Sequence, residues 1–398
     1  MAGGKYLQQK PPRKGGNQFS GNSGNSGKDV ARHSYDGGKR RSGGKKVLVI
    51  VLIVLLVLII GVAVAGIIYY NSVLNMMSRP EDITVPTLSD EEINELLGLN
   101  MTEDPAETET TSPLETWPEV VSDKNITNIM LIGQAARAGE EHRLSDSNIL
   151  VSINRETKTV TLTSIIRDLR VNIPAYDGHQ AGFNRINVVY HLGSYYTGEK
   201  IDSMKMMEMC IENNFGVKVD HTIEVDFEIF EQIIWDLGGV DVELSAAEVQ
   251  YLQNNYWSHE YVWDLKEGMN NLDGYLALCY ARMRKVGNGD WDRTARQRLI
   301  ISQLFNKVKY MNILSLNNWL QTLLPMIVTD MTNEDITNYA FELLPMLADL
   351  KIQSQTIPFE GTWWGKDLDP DGVHNYVIDA NLQRNGQLLR ESIGYVTE

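Results

Sequence analysis

The sequence predicts a layered α/β or α+β domain held beside a membrane by a single helix, on three observations. Val47 to Tyr70 is an uncharged, proline-free run of mainly Val, Leu, Ile, Ala and Gly. Short β-rich runs at Ile129–Ile132, Asn148–Ile153 and Val160–Ile165 open the region beyond it. From Ser203 onward, apolar residues at helical spacing alternate with further short strands, the pattern that stacks helices on a sheet.

At about 1.5 Å per residue the first run covers the roughly 30 Å hydrocarbon core, where a helix satisfies its own backbone. A secretory signal is excluded by length, since its apolar region is only about 7–15 residues. Ahead of the run, eleven lysines and arginines between Lys5 and Lys46 stand against Asp29 and Asp36 alone. The positive-inside rule places residues 1–46 in the cytoplasm. Their Gly, Ser, Asn and Lys content is too poor in apolar groups to fold, so a disordered basic tail attracted to anionic lipid is expected. Removing this +9 tail from the formal total of −16 leaves about −25 on the rest. Nonspecific nucleic-acid binding is therefore excluded.

Residues 71–124, rich in Glu, Asp, Thr and Pro, read as an acidic extracytoplasmic stalk with one short helix opened by the capping box Ser89-Asp90-Glu91-Glu92. Residues 125–398 suffice for one domain with a sizeable core. Within them, Asn148–Ile153 and Val160–Ile165 flank the polar turn Asn154 to Lys158 and form a hairpin. Helical spacing follows at Ser203–Phe215, Phe227–Leu237, Leu272–Arg284, Arg293–Tyr310 and Asn317–Met326, with strands at His221–Val225, Asp241–Leu244 and Gln353–Ile357. Cys210 and Cys279 each sit in an apolar helical pattern, which predicts buried thiols and no disulfide.

The richest chemistry lies where Ala281-Arg282-Met283-Arg284-Lys285 passes through Gly287-Asn288-Gly289-Asp290-Trp291-Asp292 into Arg293-Thr294-Ala295-Arg296-Gln297-Arg298. This reads as helix, glycine loop, helix, with Arg293, Arg296 and Gln297 on one face at i, i+3 and i+4. Guanidinium groups concentrated in an acidic domain suit a phosphate ligand, because the planar fork makes paired, charge-assisted bonds to phosphate oxygens. A helix N-terminus beside the loop adds backbone donors. By residue type alone, a solvated helix face whose arginines pair with Asp290 and Asp292 fits equally well. Two smaller islands follow strands: Ser164-Ile165-Ile166-Arg167-Asp168-Leu169-Arg170, and Gly133-Gln134-Ala135-Ala136-Arg137 leading through Arg143 to Ser145-Asp146-Ser147.

In chain order, over about Asn128 to Lys307, these motifs resemble the LytR-CpsA-Psr family. The resemblance rests on Gly133-x-x-x-Arg137, Ser145 to Asn154, Val160 to Asp168 and Arg185-Ile186-Asn187 with Tyr190. It continues through Gly238 to Val242, Leu272-Asp273-Gly274 running into Tyr280 to Arg284, and Gly289-Asp290 with Arg293 and Arg296-Gln297. The fold it implies is a mixed central sheet flanked by helices and enclosing an apolar polyprenyl-binding cavity. The function it implies is a phosphotransferase that moves an anionic glycopolymer, such as teichoic acid or capsular polysaccharide, from undecaprenyl pyrophosphate to peptidoglycan and releases undecaprenyl phosphate. Carried onto matching positions, it places Arg137, Arg167, Arg282, Arg284, Arg293, Arg296 and Gln297 on the pyrophosphate, Arg167 and Asp168 in the catalytic step, and Asp146 on a magnesium ion. The implied partners are the lipid-linked glycan, peptidoglycan and membrane lipid, in a Gram-positive-type envelope.

The sequence departs from the family on the metal side. The family holds magnesium with two carboxylates; Asp146 matches one, and the other position falls at Gln134 or Ala135. Leu144 stands where an arginine is usual, with Arg143 one place early, and Ile166 replaces the proline before Arg167. Two expectations follow: turnover with Asp146 and phosphate oxygens as the remaining ligands, or a lipid-pyrophosphate binder acting as an envelope sensor or regulator. Other signals carry less. Asp367-x-Asp369-x-Asp371-Gly372 lacks the glutamate of a calcium loop. Met204, Met206, Met207 and Met209 read as core, and Trp363-Trp364 as a cap on a core. No nucleophile elbow, zinc spacing or Walker loop is present.

Overall fold

The computed structural model describes residues 66, 69–97, 118–134, 144–179, 182–367 and 376–395. The basic tail and nearly all of the apolar run lie outside these residues. Among the described residues no helix is long and apolar enough to cross a membrane.

The frame is a six-stranded mixed sheet in the order β10-β3-β2-β1-β6-β9. Its strands are β1 (Ile126–Gln134), β2 (Ser145–Asn154), β3 (Thr159–Ile165), β6 (His221–Val225), β9 (Val328–Thr329) and β10 (Lys351–Ile357). β1, β2 and β3 form an antiparallel meander, while β6 joins β1 and β10 joins β3 in parallel. The hairpin expected around Asn154 to Lys158 is present, its tight turn held by Lys158 at φ 54°. Three two-stranded ribbons flank this sheet: β4 (Arg170–Ile173) with β5 (Gly182–Arg185), β7 (Val240–Leu244) with β8 (Gly268–Leu272), and β11 (Trp363–Asp367) with β12 (Tyr376–Ala380).

Strand alternation sends Met130, Ile132, Leu150 and Ile165 to one face, where they pack on α2 (Ile186–Thr197) and α3 (Lys200–Phe215). Met204, Met206 and Met207 are fully buried in that core, as expected, together with Cys210; both cysteines are buried and unpaired. Gly193 allows the two helices to close, since a Cβ there would lie 1.9 Å from the Asp202 carbonyl oxygen. The opposite face offers Ile149, Ile153, Val160 and Leu162 to Ile301 and Phe305 of α7 (Asp290–Lys309). On this side Ile129, Leu131 and Val151 are only half-buried. A separate core joins the β7–β8 ribbon to α4 (Phe227–Asp236), α5 (Ala246–Asn255) and α6 (Gly274–Arg282) through Val240, Val242, Leu272, Leu276 and Tyr280. Truncating a fully covered residue such as Leu150 to Ala costs about 2–5 kcal/mol.

The remaining helices are α1 (Asp90–Leu97), whose Ser89–Glu92 cap is present, α8 (Ile313–Leu323), α9 (Asn333–Leu343) and α10 (Leu382–Ile393). Much of the stretch read as stalk rests on the domain. Leu74 and Met77 are buried, Arg79 donates to the Met331 carbonyl and to Asn333, and the Val85 amide donates to the Gly198 carbonyl at 2.8 Å. The aromatic pair expected to cap a core does not: Trp363 is 40% and Trp364 51% exposed.

Candidate functional site

The site is built at one end of the meander, where three local features converge. The first is a β-bulge. Pairing of β1 with β2 shifts from Gly133↔Ser147 to Gln134↔Ser145, leaving Asp146 as the extra residue. A bulge re-aims the side chain that it frees. The second is the end of β3, after which Arg167 and Asp168 leave the sheet. The third is the loop from α6 to α7, which carries Arg284 and enters α7 with Asp290 and Arg293 in its first turn. Gly287 has φ +83°, and a Cβ there would fall 1.8 Å from Asp292 Oδ2, which accepts from the Asn288 amide at 2.8 Å. A glycine is required at that turn.

These features bring three guanidinium groups to a single carboxylate. Asp146 Oδ1 lies 2.5 Å from Arg167 Nη1, 3.4 Å from Arg284 Nη2 and 3.5 Å from Arg293 Nη1. Arg293, only 2% exposed, also pairs with Asp290 at 2.7 Å and donates to the Asp146 carbonyl at 2.9 Å. Arg284 Nε lies 3.7 Å from Asp290, while Arg167 and Arg185 both reach Asp168, at 3.6 and 3.7 Å. Arg167, Arg185, Arg284 and Arg293 thus face Asp146, Asp168 and Asp290, an excess of positive charge in a chain of net −16.

The two enclosed carboxylates titrate in opposite directions. Burial pushes Asp146 upward, but the charges of Arg293 and Arg167, with the Arg167 hydrogen bond, outweigh it and hold the group below the usual range. In Asp290 burial wins over Arg293 and Arg284, and the group is raised. Burial likewise lowers Arg293, opposed by Asp290.

Not every residue matched by sequence joins this group. Arg296 spends its guanidinium on Glu248 at 2.9 Å and on the carbonyls of Met283 at 2.9 Å and Val286 at 3.0 Å. It fastens the loop that carries Arg284 and is a positioning residue. Arg282 is exposed and lies over the Phe227 ring at 4.4 Å, and the Gln297 amide leans on the Ala281 carbonyl at 3.5 Å. Arg137 and Ala135 fall outside the described residues. Sequence reasoning gave Asp290 only a pairing role on a solvated helix face, and Arg185 none. Asp290 was signalled by its i, i+3 spacing to Arg293, whereas nothing in spacing links Arg185 to Asp168.

Among the described residues no group of three His, Cys, Asp or Glu side chains could hold a metal ion. Gln134, at the position expected for a second carboxylate, is 1% exposed with neither amide atom hydrogen-bonded. Of the positions that the resemblance assigns to magnesium, only Asp146 carries a carboxylate among the described residues, so a bound ion would be held by Asp146 together with phosphate and water.

The family model described as LytR_cpsA_psr matches residues 95–386, a span that holds the whole ion-pair cluster. The chain belongs to the LytR-CpsA-Psr family. Among its relatives in that family is the polyisoprenyl-teichoic acid–peptidoglycan teichoic acid transferase TagT of Bacillus subtilis, 28% identical over 278 residues, or 68% of this chain and 78% of that protein. The corresponding transferase TagU of Oceanobacillus iheyensis is 30% identical over 255 residues, 62% of this chain and 72% of that one. In three dimensions the crystal structure of B. subtilis TagT matches with a TM-score of 0.51 at 26% identity, covering 71% of this chain and 98% of that one. A structure of TagT bound to LIIa-WTA matches equally well, covering 68% and 90%. The mixed sheet flanked by helices is therefore the family's fold.

Proposed function

We propose that this chain is a glycopolymer transferase of the outer membrane face, taking an anionic glycopolymer from a polyprenyl pyrophosphate to peptidoglycan. The observation that carries the reading is the convergence of Arg167, Arg284 and Arg293 on Asp146, a cationic cluster in an acidic chain. The names of the teichoic acid transferases among its relatives support the same class. The uncharged run Val47 to Tyr70 supports a single membrane span with the basic tail inside, which would keep the site beside its lipid-borne donor.

Phosphoryl transfer asks the protein chiefly for positioning and for neutralisation of oxygen charge. Arg167, Arg284 and Arg293 take phosphate oxygens, exchanging part of their bonding to Asp146. The acceptor hydroxyl forms a new O–P bond to the glycan-bearing phosphorus, the bridging P–O bond breaks, and polyprenyl phosphate leaves with that electron pair. Asp168, with its side chain 33% exposed against 17% for Asp146 and 16% for Asp290, is the carboxylate an incoming hydroxyl reaches most easily and is assigned the hydroxyl proton. The half-buried Ile129, Leu131 and Val151, facing Ile301 and Phe305, form an apolar track suited to the prenyl chain. Magnesium, held by Asp146 and donor phosphate, would add Lewis-acid neutralisation of oxygen charge.

The test incubates the purified full-length chain with lipid-linked glycan and a peptidoglycan oligosaccharide. A linkage product is expected, falling about 10²–10³-fold in Arg167→Ala. Failure of the wild type to form product with magnesium present overturns the reading.

A further inference from the structure

Beside the arginine cluster the structure exposes an aromatic ribbon that phosphate chemistry does not use. Trp363 and Trp364 on β11 are 40% and 51% exposed, and Tyr376 at the start of β12 is 64% exposed. Tryptophan is normally well covered, and bared clusters of large apolar side chains mark binding surfaces. The ribbon register places Trp363, Gly365 and Asp367 opposite Ala380, Ile378 and Tyr376. Trp363 and Tyr376 thus share one face of the ribbon, with Gly365 between them. A Cβ on Gly365 would meet nothing within 4 Å among the described residues.

Both ends of the ribbon are tied to the site. The Trp363 ring lies 5.1 Å from that of Trp291, tilted by 34°, and Trp291 adjoins Asp290 in the first turn of α7. At the other end Arg185 donates to the Tyr376 carbonyl at 3.0 Å while its Nε lies 3.7 Å from Asp168. The Ile378 amide also donates to the Asp168 carbonyl at 2.9 Å.

We propose that the face bearing Trp363, with Trp291 beside it, is a saccharide subsite that holds a pyranose ring of the acceptor glycan by stacking. This rests on the transfer reading above. In that reading the donor has two anchors, its pyrophosphate in the arginines and its prenyl chain on the sheet. The acceptor brings an uncharged hydroxyl and gains little from guanidinium groups. The C–H face of a pyranose ring stacks on indole without needing charge, and an open ribbon lets a polymer run past it and leave once modified.

The test titrates the full-length chain with peptide-free peptidoglycan glycan strands, read by tryptophan fluorescence and by acceptor KM. Trp363→Ala is expected to weaken strand binding about tenfold and to raise acceptor KM to match, with lipid-linked donor affinity retained. Trp363→Phe should recover most of the loss. Trp364→Ala, on the opposite face of the ribbon, controls for damage to the hairpin and should bind strands as the wild type does. Unchanged strand binding in Trp363→Ala, or an equal loss in Trp364→Ala, overturns the subsite. The two readings fail separately: strand binding that needs Trp363 in a wild type that forms no product defeats transfer alone. Product formation insensitive to Trp363 defeats the subsite alone.

Discussion

Two clusters of partly buried charge in this domain have opposite compositions. At the end of the β-meander, Arg167, Arg185, Arg284 and Arg293 outnumber Asp146, Asp168 and Asp290. At the β6–β9 edge the carboxylates Glu208, Glu224 and Asp330 outnumber the cations. Lys200 pairs with Glu224 at 2.5 Å, His221 lies 3.7 Å from Asp330, and Thr222 donates to Glu208 at 2.7 Å and, through its amide, to Asp330 at 2.8 Å. Tyr190 donates to Glu224 and feels all three carboxylates. The acidic cluster relieves part of its excess internally: burial and the nearby Asp330 push Glu208 up to about 7, so near neutral pH it is about half protonated. Guanidinium groups cannot shed theirs near neutral pH, so under the proposed transfer reading the arginine cluster is completed from outside by an anion. In that reading the sign of the excess separates a cluster that serves the fold from one that takes a ligand.

The sharpest way to break this contrast is to remove the most buried cation. Arg293→Ala is expected to cut transfer about 10²–10³-fold and to cost roughly 3–5 kcal/mol of stability by stranding Asp290 and Asp146, measured as product formation and urea unfolding. A purely structural arginine would show only the second loss. Glu208→Gln probes the other cluster. Its carboxyl is raised in the fold, so the stability contributed by the protonated form is complete below the unfolded value near 4.5 and is lost as pH rises through about 7. The glutamine variant should therefore melt like the wild type at pH 5 and be more stable at pH 8, by up to about 3 kcal/mol.

Asp290 tests the arginine cluster by titration. Its folded value is raised, and a bound phosphate raises it further, so donor binding takes up a proton. Donor affinity is expected to increase as pH falls from neutral toward that raised value, by about tenfold per unit of further shift, and Asp290→Asn should flatten the profile. An unchanged profile would remove Asp290 from the ligand's field. The smallest effect belongs to Arg282→Ala. With its guanidinium over Phe227 and exposed, it should change donor affinity by no more than about threefold, well short of Arg284→Ala. A loss equal to that of Arg284 would place both at the phosphate.

Elements with a patterned face were legible in the sequence. The β1–β3 meander reads from alternating β-branched residues, and α3, α4, α6 and α7 read from apolar spacing, with ends within a few residues of those expected. α2 escaped because Ile186 through Tyr195 are all buried, polar residues included, which leaves no amphipathic stripe to detect. The short ribbons β4–β5 and β11–β12 escaped because strands of only four or five residues give too few alternations to stand out from the flanking loops, and with them the exposure of Trp363 and Trp364.

By itself the sequence determined the family, the order of the strands and helices that carry its motifs, and the residue types of the arginine-rich cluster, because these follow from local periodicity and motif order. It could not say which arginines share a pocket. That was decided by the bulge at Asp146, by the turn at Gly287 and by the Arg296 contacts that hold the α6–α7 loop. Arg284 and Arg293 reach Asp146 across 138 and 147 residues of chain, while Arg282, two positions from Arg284, turns to Phe227. Neighbours in sequence part, and distant residues meet, because side-chain direction is set by local backbone geometry and packing, which no spacing rule encodes.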